Sequence, residues 1–541
     1  MAALSKIPFA VYFVFIWGVS ILLVNPLGEF PLNDDWAFAK SVWVLCETGK
    51  MTINDWPAMT LVGQVAWGAL FAKIFGLSHV VLRVSTLIAS LIGASTFYKL
   101  ALYFSINRKI AAFASLLLFF NPLYFSLSFT FMTDVHFMAG MLLSIYFFLL
   151  YHKDARFKYL LLGALFSVFT TMIRQPGILV PLAFALTAYA KRQTSAAKIL
   201  HFIPLLVTGL ALVLHSFWLK SMAGDTASVG QIADLWTFIE KQNLWHWKTR
   251  ISQSLFYAGL FLLPLSLLLW SEIREMMKKK SSWIIIAACV AVVGFALVKS
   301  SYPHGNILYN LGLGPKVLKD TYGFNNLRPH FEGEIWPILL RILSATGLLF
   351  LLIHLCWRAV VMKFSMLAPP GYTRVAKINL LIFTLLYLLF LVIVAGYFDR
   401  YTIPLVVSIG LVVIPSKVKI SVPAFRIACL CLALVAFFSI RFTHDYLSWN
   451  RARWNALNDL MTNHGVSALD IDGGFEFNSW LKTRKSIYGK PGTSWWFVNN
   501  DDYVLAFGNL DGFSKFKGYY YPQLLSFERD SIYVLKKDNI D

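Results

Sequence analysis

Apolar runs recur along most of this 541-residue chain, each of about 18 to 22 residues and so long enough to cross about 30 Å of hydrocarbon as a helix. Lipid offers no partner to a bare peptide group, so runs of this kind fold as helices with their backbone bonds closed internally. The composition agrees: 58% of residues are hydrophobic and 14% charged, with a mean hydropathy of +0.63, whereas a soluble domain carries about 25% charge. The chain reads as a polytopic α-helical membrane protein. Ile7 to Val24 forms the first span; no small-x-small cleavage site follows it, so it is expected to be retained. Further spans are expected at about 80–104, 111–129, 136–151, 159–173, 176–190, 199–219, 251–270, 283–300, 336–356, 378–397, 401–415 and 424–440, thirteen in all.

The short loops give an orientation. With the N-terminus in the cytoplasm, Arg108-Lys109, Lys153 with Arg156 and Lys158, Lys191-Arg192, Lys278-Lys279-Lys280, Arg358 with Lys363 and Arg374, and Lys417 with Lys419 all fall inside. That is the cationic bias of cytoplasmic loops. It points to a multi-pass protein of a bacterial inner membrane and leaves the C-terminus outside. The formal charge of +20 follows in part from this bias; basic residues on the other face would suit an anionic lipid. They are scattered among apolar spans rather than gathered in a stripe, which argues against nucleic acid. The five cysteines show no metal-ligand spacing and suggest no disulfide framework.

Two units are expected. Residues 1–440 form the membrane domain, with outer loops at 25–79, 130–136, 220–250 and 300–335. Within the first loop, the semi-apolar piece from Trp56 to Phe75 reads as interfacial helices. The third loop carries Trp236, Trp245, His246, Trp247, Lys248 and Arg250; the fourth carries His304, Lys316, Lys319 and Arg328. From 441 to 541 hydropathy falls. An amphipathic helix at 446–463 precedes strand-like runs at 468–471, 503–507, 519–521 and 531–535, a small extracytoplasmic α/β domain.

Carboxylates beside hydrocarbon are the residues most in need of an explanation. Asn33-Asp34-Asp35 follows the first span, and Thr133-Asp134-Val135-His136 fills a very short loop on the same face. Either acid can cap a helix N-terminus. Either can also serve as a base, because low-dielectric surroundings tune a carboxyl. Asp399-Arg400-Tyr401, before Pro404, is a satisfied ion pair in a turn or a phosphate-binding arginine. Arg174 and Arg341 are ionisable residues in or beside apolar runs, and Arg341 has the alternative of snorkelling. No Walker loop, dinucleotide turn, Gly-x-Ser-x-Gly elbow or His-Glu-x-x-His helix occurs.

One span, an acidic motif, many further spans, an acid in the second outer loop and a late Arg-Tyr-x-x-Pro element: over roughly residues 1–415 this pattern resembles the GT-C glycosyltransferases of the lipid A aminoarabinose transferase and protein O-mannosyltransferase type. The resemblance rests on Asp34-Asp35-Trp36-Ala37, Glu47-Thr48-Gly49, Asp134 and Arg400-Tyr401 with Pro404. It implies inverting transfer of a sugar from a polyprenyl-phosphate donor to a lipid, glycan or protein acceptor outside the membrane. Asp34 would be the general base, with Asp35 and Asp134 beside it. Asp134 would orient the acceptor or hold a divalent cation, His136 being a further ligand candidate. Asp35 stands where that family usually has Glu, and Trp56 stands before Pro57 where the aminoarabinose transferase has Lys. Arg400, Arg341, Arg250, Arg328 and Lys50 are then the candidates for the donor phosphate. The alternatives are a lipid-linked glycan flippase or transporter, which calls for acids deep in the spans and repeated halves, and a scaffold whose C-terminal domain binds a partner.

Overall fold

The computed structural model describes residues 9–104, 106–190, 195–222, 244–280, 282–300, 302–303, 308, 335–361, 372–394, 396–413, 420–481, 498, 500–525 and 529–538. The helices, in chain order, are α1 (Phe9–Val24), α2 (Asp35–Thr48), α3 (Val62–Phe75), α4 (His79–Tyr103), α5 (Arg108–Phe119), α6 (Pro122–Ser128), α7 (Thr133–Asp154), α8 (Phe157–Thr171) and α9 (Leu179–Ala190). Then come α10 (Ser195–Met222), α11 (Leu244–Ser266), α12 (Trp270–Met277), α13 (Ser282–Lys299), α14 (Ile335–Val361), α15 (Tyr372–Ile393), α16 (Ile403–Val413), α17 (Val422–Thr462) and α18 (Phe475–Leu481).

The chain is a polytopic helical bundle with a small sheet at its C-terminal end. Among the described residues, eight helical segments are long and apolar enough to cross a membrane. Counting α5 and α6 as one span bent by 63° makes nine. The bend falls where Asn121 caps α6, accepting from the N–H groups of Leu123 and Tyr124 at 3.0 and 3.2 Å, and Pro122 cannot continue α5. Thirteen full spans are therefore not found. The span expected at 159–173 falls on the short apolar α8 of 15 residues, and at about 1.5 Å per residue this stops short of about 30 Å. The 14-residue α3 is a short helix of the kind expected for an interfacial piece.

α7 lies deepest in the bundle. α8 joins it through Ser144 and Ser167, whose hydroxyls meet at 2.7 Å, one donating to the other and the second to the Gly163 carbonyl at 2.9 Å. Hydroxyl contacts of this type hold helices together where the hydrophobic effect gives no preference. α10, α13 and the first part of α17 instead expose residues such as Leu206, Val298 and Leu434, the surface that lipid would cover. α11 and α14 pack backbone against backbone: a Cβ on Gly347 would lie 2.0 Å from the Gly259 carbonyl oxygen.

The expected break between a last span and an amphipathic helix is absent. α17 runs unbroken for 41 residues, having no Gly and no Pro after Pro423. It leads into a four-stranded sheet of order β1-β2-β4-β3, where β1 is Ile471–Asp472, β2 Tyr503–Ala506, β3 Phe513–Pro522 and β4 Arg529–Lys537. β1 pairs with β2 in parallel, Ile471 facing Tyr503; the other pairs are antiparallel. One face of the sheet carries a small cluster of its own, Val504, Ala506, Leu510 and Leu535, and the other face shares its core with the helices. Ile471, Phe477, Leu505, Ile532 and Val534 pack into one cluster with Leu447 and Leu457 of α17, and with Phe13, Val24, Phe30 and Leu32 from α1 and the segment after it.

Because the α11–α14 crossing admits no side chain, Gly347→Val should cost about 1–3 kcal/mol through overpacking. Thermal unfolding of the detergent-solubilised protein checks this; an unchanged midpoint would contradict the close approach.

Candidate active site

Asp34 ends the segment that follows α1. Asn33 before it sits at φ +57°, a left-handed conformation that Asn tolerates better than most residues. That turn lets α2 start at Asp35 with Asp34 as its N-cap residue. The Asp34 side chain makes no capping hydrogen bond. Its Oδ1 accepts instead from the Trp56 indole N–H at 3.0 Å, and its Oδ2 lies 3.9 Å from Arg400 Nη2. Its side chain is 24% exposed, against 3% for Asp134 and 2% for Arg400. Asp134 does not cap α7 either; Met132 holds that position. Asp134 Oδ1 pairs with Arg174 Nη1 at 2.5 Å, and its Oδ2 lies 3.7 Å from Arg400 Nε.

Two carboxylates and two guanidiniums thus meet in one buried cluster. Arg174 stacks over the Tyr401 ring at 4.6 Å, and Arg400 over Phe398 at 4.3 Å, so aromatic faces hold the planes of both cations. Asp399 holds the segment that carries Arg400: its carboxylate accepts from the backbone N–H of Arg400 at 2.8 Å and of Leu308 at 2.7 Å. Asp134 Oδ2 and Arg174 Nη2 are buried and lack hydrogen-bond partners among the described residues. Burial pushes the Asp34 carboxyl above its ordinary range. Arg400 and the Trp56 N–H oppose that rise, while the charges of Glu476 and Asp134 add to it.

Asp35 is differently placed. Its two oxygens accept from the backbone N–H of Leu32 at 2.6 Å and of Phe131 at 2.9 Å. It joins the first connection to the segment before Asp134, and Gln64 strengthens that join by donating to the Phe131 carbonyl at 2.5 Å. Burial raises the Asp35 carboxyl to about 7 in spite of these donors.

The other candidates lie further out. Arg250 stacks over Tyr397 at 4.7 Å, two positions before Asp399, and Tyr397 bonds Ser254 at 3.1 Å. Arg341 donates to the carbonyls of Tyr302 and Ser300 at 2.6 and 2.8 Å, so it satisfies backbone at the end of α13. Lys50 is exposed beyond the far end of α2. Arg328, with His304, Lys316, Lys319 and Trp236, lies outside the described residues. For a divalent cation the residues do not fit. His136 Nδ1 faces the Met132 carbonyl at 3.3 Å, Asp134 lies between two guanidiniums, and no three His, Cys, Asp or Glu side chains gather among the described residues. Sequence reasoning put Arg174 near this face without joining it to Asp134; the signal was an arginine amid apolar residues. It missed Trp56 as a donor to Asp34, which no local pattern betrays.

An apolar cavity of about 220 Å³ opens among α5, α6, α11, α14 and α17. Leu260, Leu340, Leu434 and Phe438 line it, as does Leu308, whose N–H is held by Asp399. The chamber is thus joined to the segment that carries Arg400 through one hydrogen bond, from Leu308 to Asp399.

Residues 65–219 match the family model described as dolichyl-phosphate-mannose-protein mannosyltransferase. The chain thus resembles the GT-C glycosyltransferases over that segment, as its motifs led us to expect. No curated protein matches it in sequence. Among solved structures, ArnT from Cupriavidus metallidurans bound to undecaprenyl phosphate is 13% identical, with 98% of each chain covered and a TM-score of 0.42. The oligosaccharyltransferase AglB from Archaeoglobus fulgidus, in complex with an inhibitory peptide and a dolichol-phosphate, is 13% identical, with 90% of this chain and 62% of that one covered and a TM-score of 0.43.

Breaking a buried ion pair from one side leaves an uncompensated charge, so Asp134→Leu or Arg174→Leu alone should cost about 3–5 kcal/mol, and the double variant less than the sum. Asp35→Asn presents an N–H₂ to one of two N–H donors and should cost about 1–3 kcal/mol. Denaturant titrations of the purified variants read both. Additive Asp134 and Arg174 costs, or an Asp35→Asn protein as stable as the parent, would contradict these placements.

Proposed function

We propose that this protein is a membrane glycosyltransferase that moves a sugar from a polyprenyl-phosphate donor to a hydroxyl-bearing acceptor, with Asp34 as general base. The observation that carries the reading is the meeting of Asp34, Asp134, Arg174 and Arg400 at the end of the bundle where the C-terminal sheet lies. The match to a dolichyl-phosphate-mannose-protein mannosyltransferase model supports the donor class. The apolar cavity, which Leu308 ties to Asp399, supports a greasy donor.

In this reading Asp34, the more exposed carboxylate, takes the proton of the acceptor hydroxyl. The oxygen attacks the anomeric carbon from the face opposite the phosphate, which inverts the configuration. As Asp34 becomes neutral, the cluster of two carboxylates and two arginines passes from balanced to net positive. Arg400 loses a competing partner as negative charge gathers on the departing phosphate. Preorganised charge of this kind stabilises the transition state more than the ground state. Asp134 keeps Arg174 and Arg400 in place and keeps them from repelling each other. In this reading the catalytic face lies outside a bacterial inner membrane, with the N-terminus in the cytoplasm, a topology supported by the lysine and arginine groups of the short loops in the sequence.

Purified protein incubated with a polyprenyl-phosphate-linked sugar should release lipid phosphate as the acceptor is glycosylated. Asp34→Asn should lower kcat by about 10²- to 10⁴-fold. Since burial raises the Asp34 carboxyl, the acid limb of the wild-type profile should lie above the usual carboxylate range. Transfer at the parental rate by Asp34→Asn would remove Asp34 from the role of base.

A further inference from the structure

We infer that Glu476, carried by the C-terminal sheet region, is a positioning residue of the Asp34 site. It holds the turn from which Asp34 projects, so this region forms part of the catalytic apparatus. The inference rests on the proposed role of Asp34.

The contact is specific. Glu476 Oε1 accepts from the backbone N–H of Asn33 at 3.0 Å. Its Oε2 accepts from Arg453 Nη1 of α17 at 2.9 Å, and Arg453 is 1% exposed. The carboxylate thus bridges α17 and the residue before Asp34, across 443 positions of sequence. Asn33 is the residue at positive φ. A left-handed residue keeps its conformation only where its surroundings hold it, and its N–H is anchored here by a charged acceptor.

The segment that presents Glu476 is itself locked. Asn478 Nδ2 donates to Asp472 Oδ1 at 2.8 Å, while Asn478 Oδ1 accepts from the Gly473 N–H at 3.1 Å. Gly474 turns the chain at φ +92°. Next to Glu476, the Phe475 ring lies 5.8 Å from Trp56 and 6.2 Å from Trp36. Trp56 is the donor to Asp34. The same short helix therefore grips Asp34 twice: Glu476 holds its backbone turn, and Phe475 packs on the indole that binds its side chain. Lys40 of α2 adds a third tie by donating to the Ser479 carbonyl at 2.9 Å. The groups bearing on Asp34 are Arg400, Asp134, Glu476 and the Trp56 N–H, with Arg174 behind Asp134 and Asp35 on the far side. Glu476 brings a like charge to that set as well as a hydrogen-bond acceptor.

The two contributions separate by substitution. Glu476→Gln keeps an acceptor oxygen for Asn33, removes the charge and turns an N–H₂ toward Arg453; Glu476→Ala removes the charge and both acceptors. Two readouts are taken on the purified full-length chain. One is steady-state transfer from a polyprenyl-phosphate-linked sugar across pH. The other is carbodiimide labelling of Asp34 across pH, followed by peptide mass spectrometry, which reports its protonation without turnover. Glu476→Ala should lower kcat by about tenfold or more, with little change in KM for the donor. Glu476→Gln should retain more activity, yet move both the acid limb of kcat and the Asp34 labelling midpoint to lower pH, because a neighbouring negative charge is gone. A folded Glu476→Ala protein with the parental kcat, or a folded Glu476→Gln protein whose acid limb and labelling midpoint both match the parent, would overturn the inference. If the parent transfers nothing from this donor while the labelling midpoint still shifts, the proposed reaction fails and the positioning role of Glu476 stands.

Discussion

The ion pair between Asp134 and Arg174 is the interaction on which the site depends. Both side chains are almost wholly enclosed, and an isolated charge in that setting is too costly to keep. Each supplies the other's counter-charge, and Arg400 shares the same carboxylate at a longer distance. Three elements distant in sequence, the start of α7, the turn after α8 and the turn before α16, are thereby held at one point. Asp34 joins from a fourth. It faces Arg400 from the more exposed side, which gives the cluster an enclosed inner half and a partly exposed outer half.

The two acidic neighbours in the first connection divide their work. Asp35 spends both oxygens on backbone donors and stitches the connection to the segment before α7. Among the described residues, Asp34 meets an indole N–H and a more distant guanidinium. Adjacent identical side chains come to differ because α2 starts between them. The helix start turns Asp35 inward, and the left-handed Asn33 leaves Asp34 at the rim.

Much of this was legible in the residues. The apolar runs gave a helical membrane protein, and the fall in hydropathy beyond residue 440 gave the small sheet. Asp34, Asp134 and Arg400 were identifiable because charge beside hydrocarbon demands a reason, and they converge. The number of full spans was less legible, because short apolar helices inside a bundle look like spans in a linear reading. The role of Asp35 was hidden, since a carboxylate that binds backbone N–H groups leaves no mark on the sequence around it. Glu476 was hidden for the same reason: its partner is a peptide N–H hundreds of residues away. Arg341 was legible as an unusual arginine, but its partners are carbonyls, which have no sequence signature.

α17 has one more consequence. A continuous helix of 41 residues is about 60 Å long at about 1.5 Å per residue, roughly twice the hydrocarbon thickness. Half of it must stand clear of the lipid as a rigid mast, with the sheet fastened near its top and the segment after α1 braced against its side. The height of that roof over the bilayer is then set by helix pitch.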